Sequence, residues 1–107
     1  MSILISAFLG LAFAQTPPFE TYKTTVQPVL QKYCFGCHAG DNPRAGLDLS
    51  LYTDESAILK DREVFRAIAE RLVAREMPPR NRPQPSPAER DAVLGFIRAT
   101  FPQIDLE

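Results

Sequence analysis

The residues with the most evident chemistry lie within five positions, in the sequence Cys34-Phe35-Gly36-Cys37-His38. Two thiols three positions apart can each add to a vinyl group on one edge of the same porphyrin. The adjacent imidazole then lies beneath the ring, within reach of its iron. This C-x-x-C-H spacing is the attachment pattern of c-type haem. It predicts one covalent haem c, with Cys34 and Cys37 as thioether positions and His38 as an axial ligand of the iron.

Three other kinds of site use a C-x-x-C pair, and each is open at this point. A Cys34–Cys37 disulfide would close so short a loop that it would remove little entropy from the unfolded chain. A dithiol redox pair normally follows a strand in an α/β fold, and no alternation of strand and helix patterns is visible here. A structural zinc site needs four protein ligands, whereas this chain offers two cysteines and one histidine. Haem is the interpretation that the pattern favours.

A second axial ligand can be sought by elimination. His38 is the sole histidine, and the two methionines are Met1 and Met77. Met1 begins an apolar segment that the mature chain is expected to lose, so Met77 would be its only methionine. Thioether sulfur is a haem ligand that raises the reduction potential. Met77 is therefore the expected second axial ligand; packing of Met77 in the core, and an iron that is five-coordinate or weakly ligated, are the alternatives.

The N-terminal segment, residues 1–14, is apolar apart from two serines and ends in Ala12-Phe13-Ala14. It is shorter than the roughly 20 apolar residues that cross a bilayer, and Ala-x-Ala is typical of a signal peptide cleaved after Ala14. No Lys or Arg precedes the apolar run, and an uncleaved anchor is the alternative. We expect export to the periplasm or an equivalent compartment, a short spacer over 15–18 and one domain over 19–107.

Length and charge limit the remaining possibilities. A chain of 107 residues allows one domain, whose small core makes a buried cofactor physically plausible. Twelve Lys and Arg against 13 Asp and Glu give a net charge of −1 without a basic block, which argues against nucleic acid as a partner. A monomer that meets redox proteins as partners is the expectation, with membrane contact only if the N-terminal segment is retained.

The elements that would position these residues are helices. Apolar residues recur at helical spacing from Phe19 to Tyr33, with Pro28 either kinking this helix or starting its regular part. Residues 39–60 carry turn signals, and predict a loop with at most one short helical turn. Leu47, Leu49 and Leu51 alternate with polar residues there, which fits a brief strand or an extended loop laid on a cofactor.

Two further helices follow. Asp61 is expected to cap a helix reaching about Arg75, with an apolar stripe of Val64, Phe65, Ile68, Leu72 and Val73. The prolines of residues 77–85 end it in a stiff loop. Ser86-Pro87-Ala88-Glu89 is a capping box that starts the last helix, and Pro102 stops it. The fold class predicted is all-α, with about three helices packed around one haem.

The chain resembles the cytochrome c domains of the planctomycete type over nearly all of its expected mature length. The shared features are an aromatic residue at Phe19, the sequences at 26–30, 33–38, 46–49 and 77–79, the helix over 61–76 and the capped helix from Ser86. The resemblance implies a mainly helical cytochrome c fold, with Cys34 and Cys37 bound to haem, His38 proximal and Met77 distal. Ala39 departs from the glycine that usually follows the histidine, and such domains commonly form part of longer proteins, so a fragment is a further alternative.

Electron transfer is the function that these features favour. A carrier needs the haem edge near the surface and both axial positions filled. With the sole histidine assigned to iron, no catalytic constellation is visible, so no catalytic residue is predicted. A haem enzyme or gas sensor with an open sixth position, and a docking module with a simple disulfide, are the competing classes. Arg80 and Arg82 are expected to pair with haem propionates, to steer an acidic partner, or simply to lie in a solvated loop.

Overall fold

The computed structural model describes residues 18–106. Over this range the chain contains α-helices, one π-helical turn and two 3-10 turns, and no strand. In chain order they are α1 (Pro18–Thr21), the π-helical turn Tyr22–Val26, α2 (Gln27–Tyr33), the 3-10 turns Arg44–Gly46 and Leu49–Leu51, α3 (Glu55–Lys60), α4 (Arg62–Val73) and α5 (Pro87–Thr100). The all-α class is confirmed for these residues. The predicted signal peptide, 1–14, lies outside them, as do residues 15–17 of the spacer.

Pro28 lies at the start of α2, which runs to Tyr33, as the second of the two predicted alternatives has it. No break precedes it, because α1, the π-helical turn and α2 follow one another directly. In a regular α-helix, proline lacks one hydrogen bond and its ring clashes with the carbonyl four residues back. The wider turn relieves this conflict: the N–H of Gln27 donates to the carbonyl of Tyr22, five residues back. The helical segment therefore continues to Tyr33. Its buried side chains are Tyr22, Val26, Val29 and Leu30.

The region after the cysteines folds as 3-10 turns, so the brief strand considered for the leucines is wrong. Asp48 caps the second turn by accepting a hydrogen bond from the N–H of Ser50 at 3.0 Å. A 3-10 turn does not alternate its side chains between two faces as a strand does. Leu49 accordingly lies in the core at 2% exposure, whereas Leu51 is 67% exposed.

A helix is also present where the sequence predicted at most one helical turn. The carboxylate of Asp54 accepts a hydrogen bond from the N–H of Ala57 at 2.8 Å and so caps α3. Ile58, which is buried, anchors this six-residue helix to the core. The prediction of about three helices is too low for this reason, and because the π-helical turn divides the first one.

Helix α4 forms as predicted, but Asp61 does not cap it through its side chain. The Asp61 carboxylate instead accepts a hydrogen bond from the Tyr52 hydroxyl at 2.5 Å, and its backbone ends α3. The apolar stripe is also narrower than expected, because Val73 at the end of the helix is 46% exposed. The buried residues of α4 are Phe65, Ala69 and Leu72.

The start of α5 matches its prediction closely. The hydroxyl of Ser86 accepts from the N–H of Glu89 at 3.1 Å, and the Glu89 carboxylate accepts from the N–H of Ser86 at 2.9 Å. Pro87 is the first helical residue, and the helix ends before Pro102. The capping box and the stop signal are both confirmed.

Phe65 lies at the centre of the core at 1% exposure. Four aromatic rings have their centroids 5.1–6.4 Å from its own: Tyr22, Tyr52, Phe96 and Phe101. Aromatic pairs at this range add stability beyond the area that they bury. The cluster joins the first helical segment, α4 and α5. In residues 18–106 no helix has the length and apolar content that crossing a membrane requires.

Candidate functional site

The Cys34–His38 segment is a tight turn that continues directly from α2. The N–H groups of Cys34 and Phe35 both donate to the carbonyl of Leu30, at 2.8 and 3.0 Å. The N–H groups of Cys37 and His38 both donate to the carbonyl of Cys34, at 3.2 and 2.9 Å. These bonds satisfy groups that the end of a helix leaves unpaired. The turn therefore holds the backbone of both cysteines and of His38 in one compact segment at the end of α2.

The two cysteines are free thiols, and both are half-buried. Burial raises the pKa of the Cys34 thiol to about 11, with a smaller contribution from Cys37. The attacking thiol of a dithiol redox motif has the opposite property, a lowered pKa that keeps it reactive near neutral pH. The raised pKa of Cys34 does not favour the redox-pair interpretation, and the two sulfurs are not joined in a disulfide. No three His, Cys, Asp or Glu side chains come together to hold a metal ion among the described residues.

His38 has one ring nitrogen fixed by a hydrogen bond. Its Nδ1 lies 3.0 Å from the carbonyl oxygen of Arg44. Because a carbonyl can only accept, Nδ1 carries the hydrogen and donates it, which leaves the lone pair of Nε2 available to a metal. Histidine ligands of metals are typically oriented by a second-nitrogen bond of this kind. Sequence reasoning missed Arg44, because the orienting group belongs to its backbone and no side-chain pattern reveals it.

The loop after the histidine is fastened to the turn at two more points. The N–H of Arg44 donates to the carbonyl of Cys37, and the N–H of Leu49 donates to the carbonyl of His38, both at 2.7 Å. A Cβ added at Gly36, between the cysteines, would meet no other atom within 4 Å, so space is open beside the turn. Two free thiols, an oriented imidazole and open space beside them form a donor set that fits haem c.

Met77 lies on a separate segment, after α4, and its side chain is 40% exposed. Pro78 follows it through a cis peptide bond and is buried. Like Leu51, Leu59 and Val73, Met77 is a large apolar residue that is exposed to solvent. It is not one of the core residues. The alternative in which Met77 is a core methionine is therefore not what the structure shows.

A hydrogen bond that the sequence did not reveal connects the cysteine turn to α5. The hydroxyl of Tyr33, next to Cys34, donates to Oε1 of Glu89 at 2.7 Å. The same oxygen accepts the N–H of Ser86 in the capping box. The bond from Ser86, and then the one from Tyr33, hold the pKa of the Glu89 carboxyl below its usual value. One carboxylate thus starts α5 and fixes the end of α2.

Arg80 and Arg82 lie on the loop after Met77, and both are exposed. Within residues 18–106 neither forms an ion pair. The expectations that they contact haem propionates or an acidic partner stay predictions.

Comparison with known proteins matches one part of the chain to a known family. Residues 34–81, just under half of the chain, match the family model of planctomycete cytochrome C. The matched range contains all four residues predicted to bind haem. No curated protein and no solved structure matches the chain. The family indicates a c-type cytochrome and implies haem c with its iron as the cofactor. The resemblance to planctomycete-type cytochrome c domains predicted from the sequence is thereby confirmed over residues 34–81.

Proposed function

We propose that this protein is a monohaem c-type cytochrome that carries single electrons between redox proteins. In this proposal Cys34 and Cys37 hold the haem through thioether bonds, His38 is the proximal ligand and Met77 the distal one. The N-terminal segment directs export, so that the carrier works in the periplasm. The proposal assigns no catalytic residue.

The observation that carries the proposal is the orientation of His38 on the cysteine turn. The Arg44 carbonyl takes the hydrogen of Nδ1 at 3.0 Å, so Nε2 is the only ring nitrogen with a free lone pair. The N–H groups of Cys37 and His38 both donate to the carbonyl of Cys34, so the turn keeps the backbone of these three residues together. When bound, haem would supply a one-electron iron couple, whose potential depends on the axial ligands. The polypeptide would hold the ligands His38 and Met77 so that they move little when the iron gains or loses an electron.

The exposure of Met77 supports a carrier over an open-site enzyme or sensor. A side chain that is 40% exposed on a proline-rich loop can bind a neighbouring iron without leaving a cavity in the core. Filling both axial positions would exclude small ligands and limit the rearrangement that accompanies gain or loss of an electron.

Covalent attachment can be tested by denaturing the purified exported protein and extracting it with acidified organic solvent. We expect the haem to stay with the polypeptide. As a matched control, the Cys34→Ala, Cys37→Ala double variant should lose to the solvent any haem that it binds. Haem that leaves the unmodified protein in the solvent would refute thioether attachment.

A further inference from the structure

The loop that follows Met77 is poor in backbone hydrogen-bond donors. Residues 77–85 contain four prolines, at positions 78, 79, 83 and 85, and proline has no N–H. The carbonyl groups of this loop therefore have few backbone partners available nearby. The N–H of Arg82 serves one of them by donating to the carbonyl of Pro79 at 2.9 Å. Further pairing within the loop must come from a side chain.

Gln84 provides this side chain. Its Nε2 lies 3.1 Å from the carbonyl oxygen of Pro78, 2.9 Å from that of Pro79 and 3.1 Å from that of Arg82. All three partners can only accept, so the NH₂ end of the amide must face them. Two amide hydrogens are thus shared among three carbonyls. The end of the loop is thereby tied back to the carbonyls of Pro78 and Pro79, the two residues that directly follow Met77.

The residues around the Gln84 amide show which part of the loop its hydrogen bonds control. Pro78 and Pro85 are buried and fix the loop near its two ends, while Met77 and Gln84 are exposed. A loop that is already held in one conformation loses little freedom when one of its side chains binds a ligand, and this favours binding. The Gln84 amide therefore acts on the backbone that determines where the Met77 sulfur can reach.

We propose that Gln84 is a positioning residue for Met77, whose amide holds the loop in the conformation that presents the thioether sulfur to the haem iron. The inference rests on the proposed function, because it requires Met77 to be the distal ligand. Gln84 acts through the carbonyls of Pro78 and Pro79.

The test compares the exported, haem-loaded protein with three variants. Gln84→Glu keeps the shape of the side chain but removes both donors, whereas Gln84→Lys retains donors on a side chain of similar reach. Gln103→Glu makes the same charge change at an exposed position after α5 and serves as the matched control. The readouts are the near-infrared sulfur-to-iron band of the ferric form, the reduction potential, and the rate of carbon monoxide binding to the ferrous form.

We expect Gln84→Glu to weaken the band, lower the potential and speed carbon monoxide binding roughly 5- to 30-fold, as loss of one or two hydrogen bonds would. Gln84→Lys should stay near the unmodified protein, and Gln103→Glu should match it. All readings are taken well below the unfolding midpoint, where a general loss of stability would not change them.

Two different results would overturn the inference. The first applies when the unmodified protein shows the band. If Gln84→Glu then leaves the band, the potential and the carbon monoxide rate unchanged, or if Gln84→Lys behaves like Gln84→Glu, the proposed role of Gln84 is wrong while ligation by Met77 stands. If the unmodified protein lacks the band, ligation by Met77 is itself refuted, and the positioning role falls with it.

Discussion

Replacement of Met77 by leucine separates iron ligation from packing. The two side chains have similar volumes, so a volume-conserving exchange of this kind usually costs less than about 1.5 kcal/mol even in a core. Leucine has no sulfur and cannot bind iron. We expect Met77→Leu to abolish the near-infrared sulfur-to-iron band, to lower the reduction potential and to admit carbon monoxide to the ferrous form, because thioether ligation raises the potential and closes the site.

The structure sets the size of the competing packing effect. Burying a whole methionine side chain contributes about 1.5–3 kcal/mol, and Met77 retains 40% of its exposure. Truncation to alanine should therefore cost at most about 1–2 kcal/mol through lost burial, below the 2–5 kcal/mol typical of a core methionine. For a domain of this size, each kcal/mol lowers Tm by about 4–8 °C. Because folded domains are typically stable by about 5–15 kcal/mol, we expect the variants to stay folded at room temperature, so that their spectra can be compared directly.

Val73 offers a matched control, because it is also a large apolar residue near the same loop and is 46% exposed. Val73→Ala should lower stability by a similar or smaller amount, and leave the band, the potential and carbon monoxide binding unchanged. A Met77→Leu protein that keeps its band and still excludes carbon monoxide would refute ligation by Met77. Rapid carbon monoxide binding to the unmodified protein, together with peroxidase turnover, would favour the enzyme or sensor alternative.

Three further predictions concern the helices that hold the site. Phe65→Ala should lower the free energy of unfolding by about 3–5 kcal/mol in denaturant titrations, since it empties the centre of the aromatic cluster; a loss below about 1 kcal/mol would contradict that central role. Ser86→Ala should lower the free energy of unfolding by about 1 kcal/mol through the lost cap. Ser56 is exposed on α3, so Ser56→Ala should change it by less than about 0.5 kcal/mol. Equal losses would refute the capping effect. The folded-state pKa of Glu89 is lowered by Ser86 and Tyr33, so its stabilising effect is present above the unfolded-state pKa of about 4.3 and is lost as pH falls through the folded-state value. The stability difference between the unmodified protein and Glu89→Gln should therefore shrink on acidification, and a difference that does not vary with pH would exclude this linkage.

Features encoded by a few adjacent residues could be predicted from the sequence. The capping box of Ser86 and Glu89 and the periodicity of α4 are local, and so is the spacing of the cysteines and His38. Their physical causes, a helix cap, an amphipathic face and a turn, act over a few residues. The start of α5 and the helix that leads into Cys34 were therefore placed correctly.

Contacts between distant parts of the chain could not be predicted in this way. The bond from Tyr33 to Glu89 joins residues on different helices, and nothing near either residue indicates the other. Asp61 shows the same limit, because its position suits a helix cap but the Tyr52 hydroxyl, which the fold brings close, binds its carboxylate. The orienting carbonyl of Arg44 and the amide of Gln84 also depend on loop conformations that no local pattern specifies.

The π-helical turn Tyr22–Val26 also limits how this chain can change in length during evolution. A π turn holds more residues than the α turn that it replaces, so the segment is equivalent to an α-helix with one residue inserted just before Pro28. Deleting Thr24 alone would press the Pro28 ring against a regular turn, and replacing Pro28 alone would remove the steric reason for the insertion. Loss of both would give an unbroken α-helix with Cys34 still in register. The insertion and the proline are therefore a coupled pair, which related chains should gain or lose together.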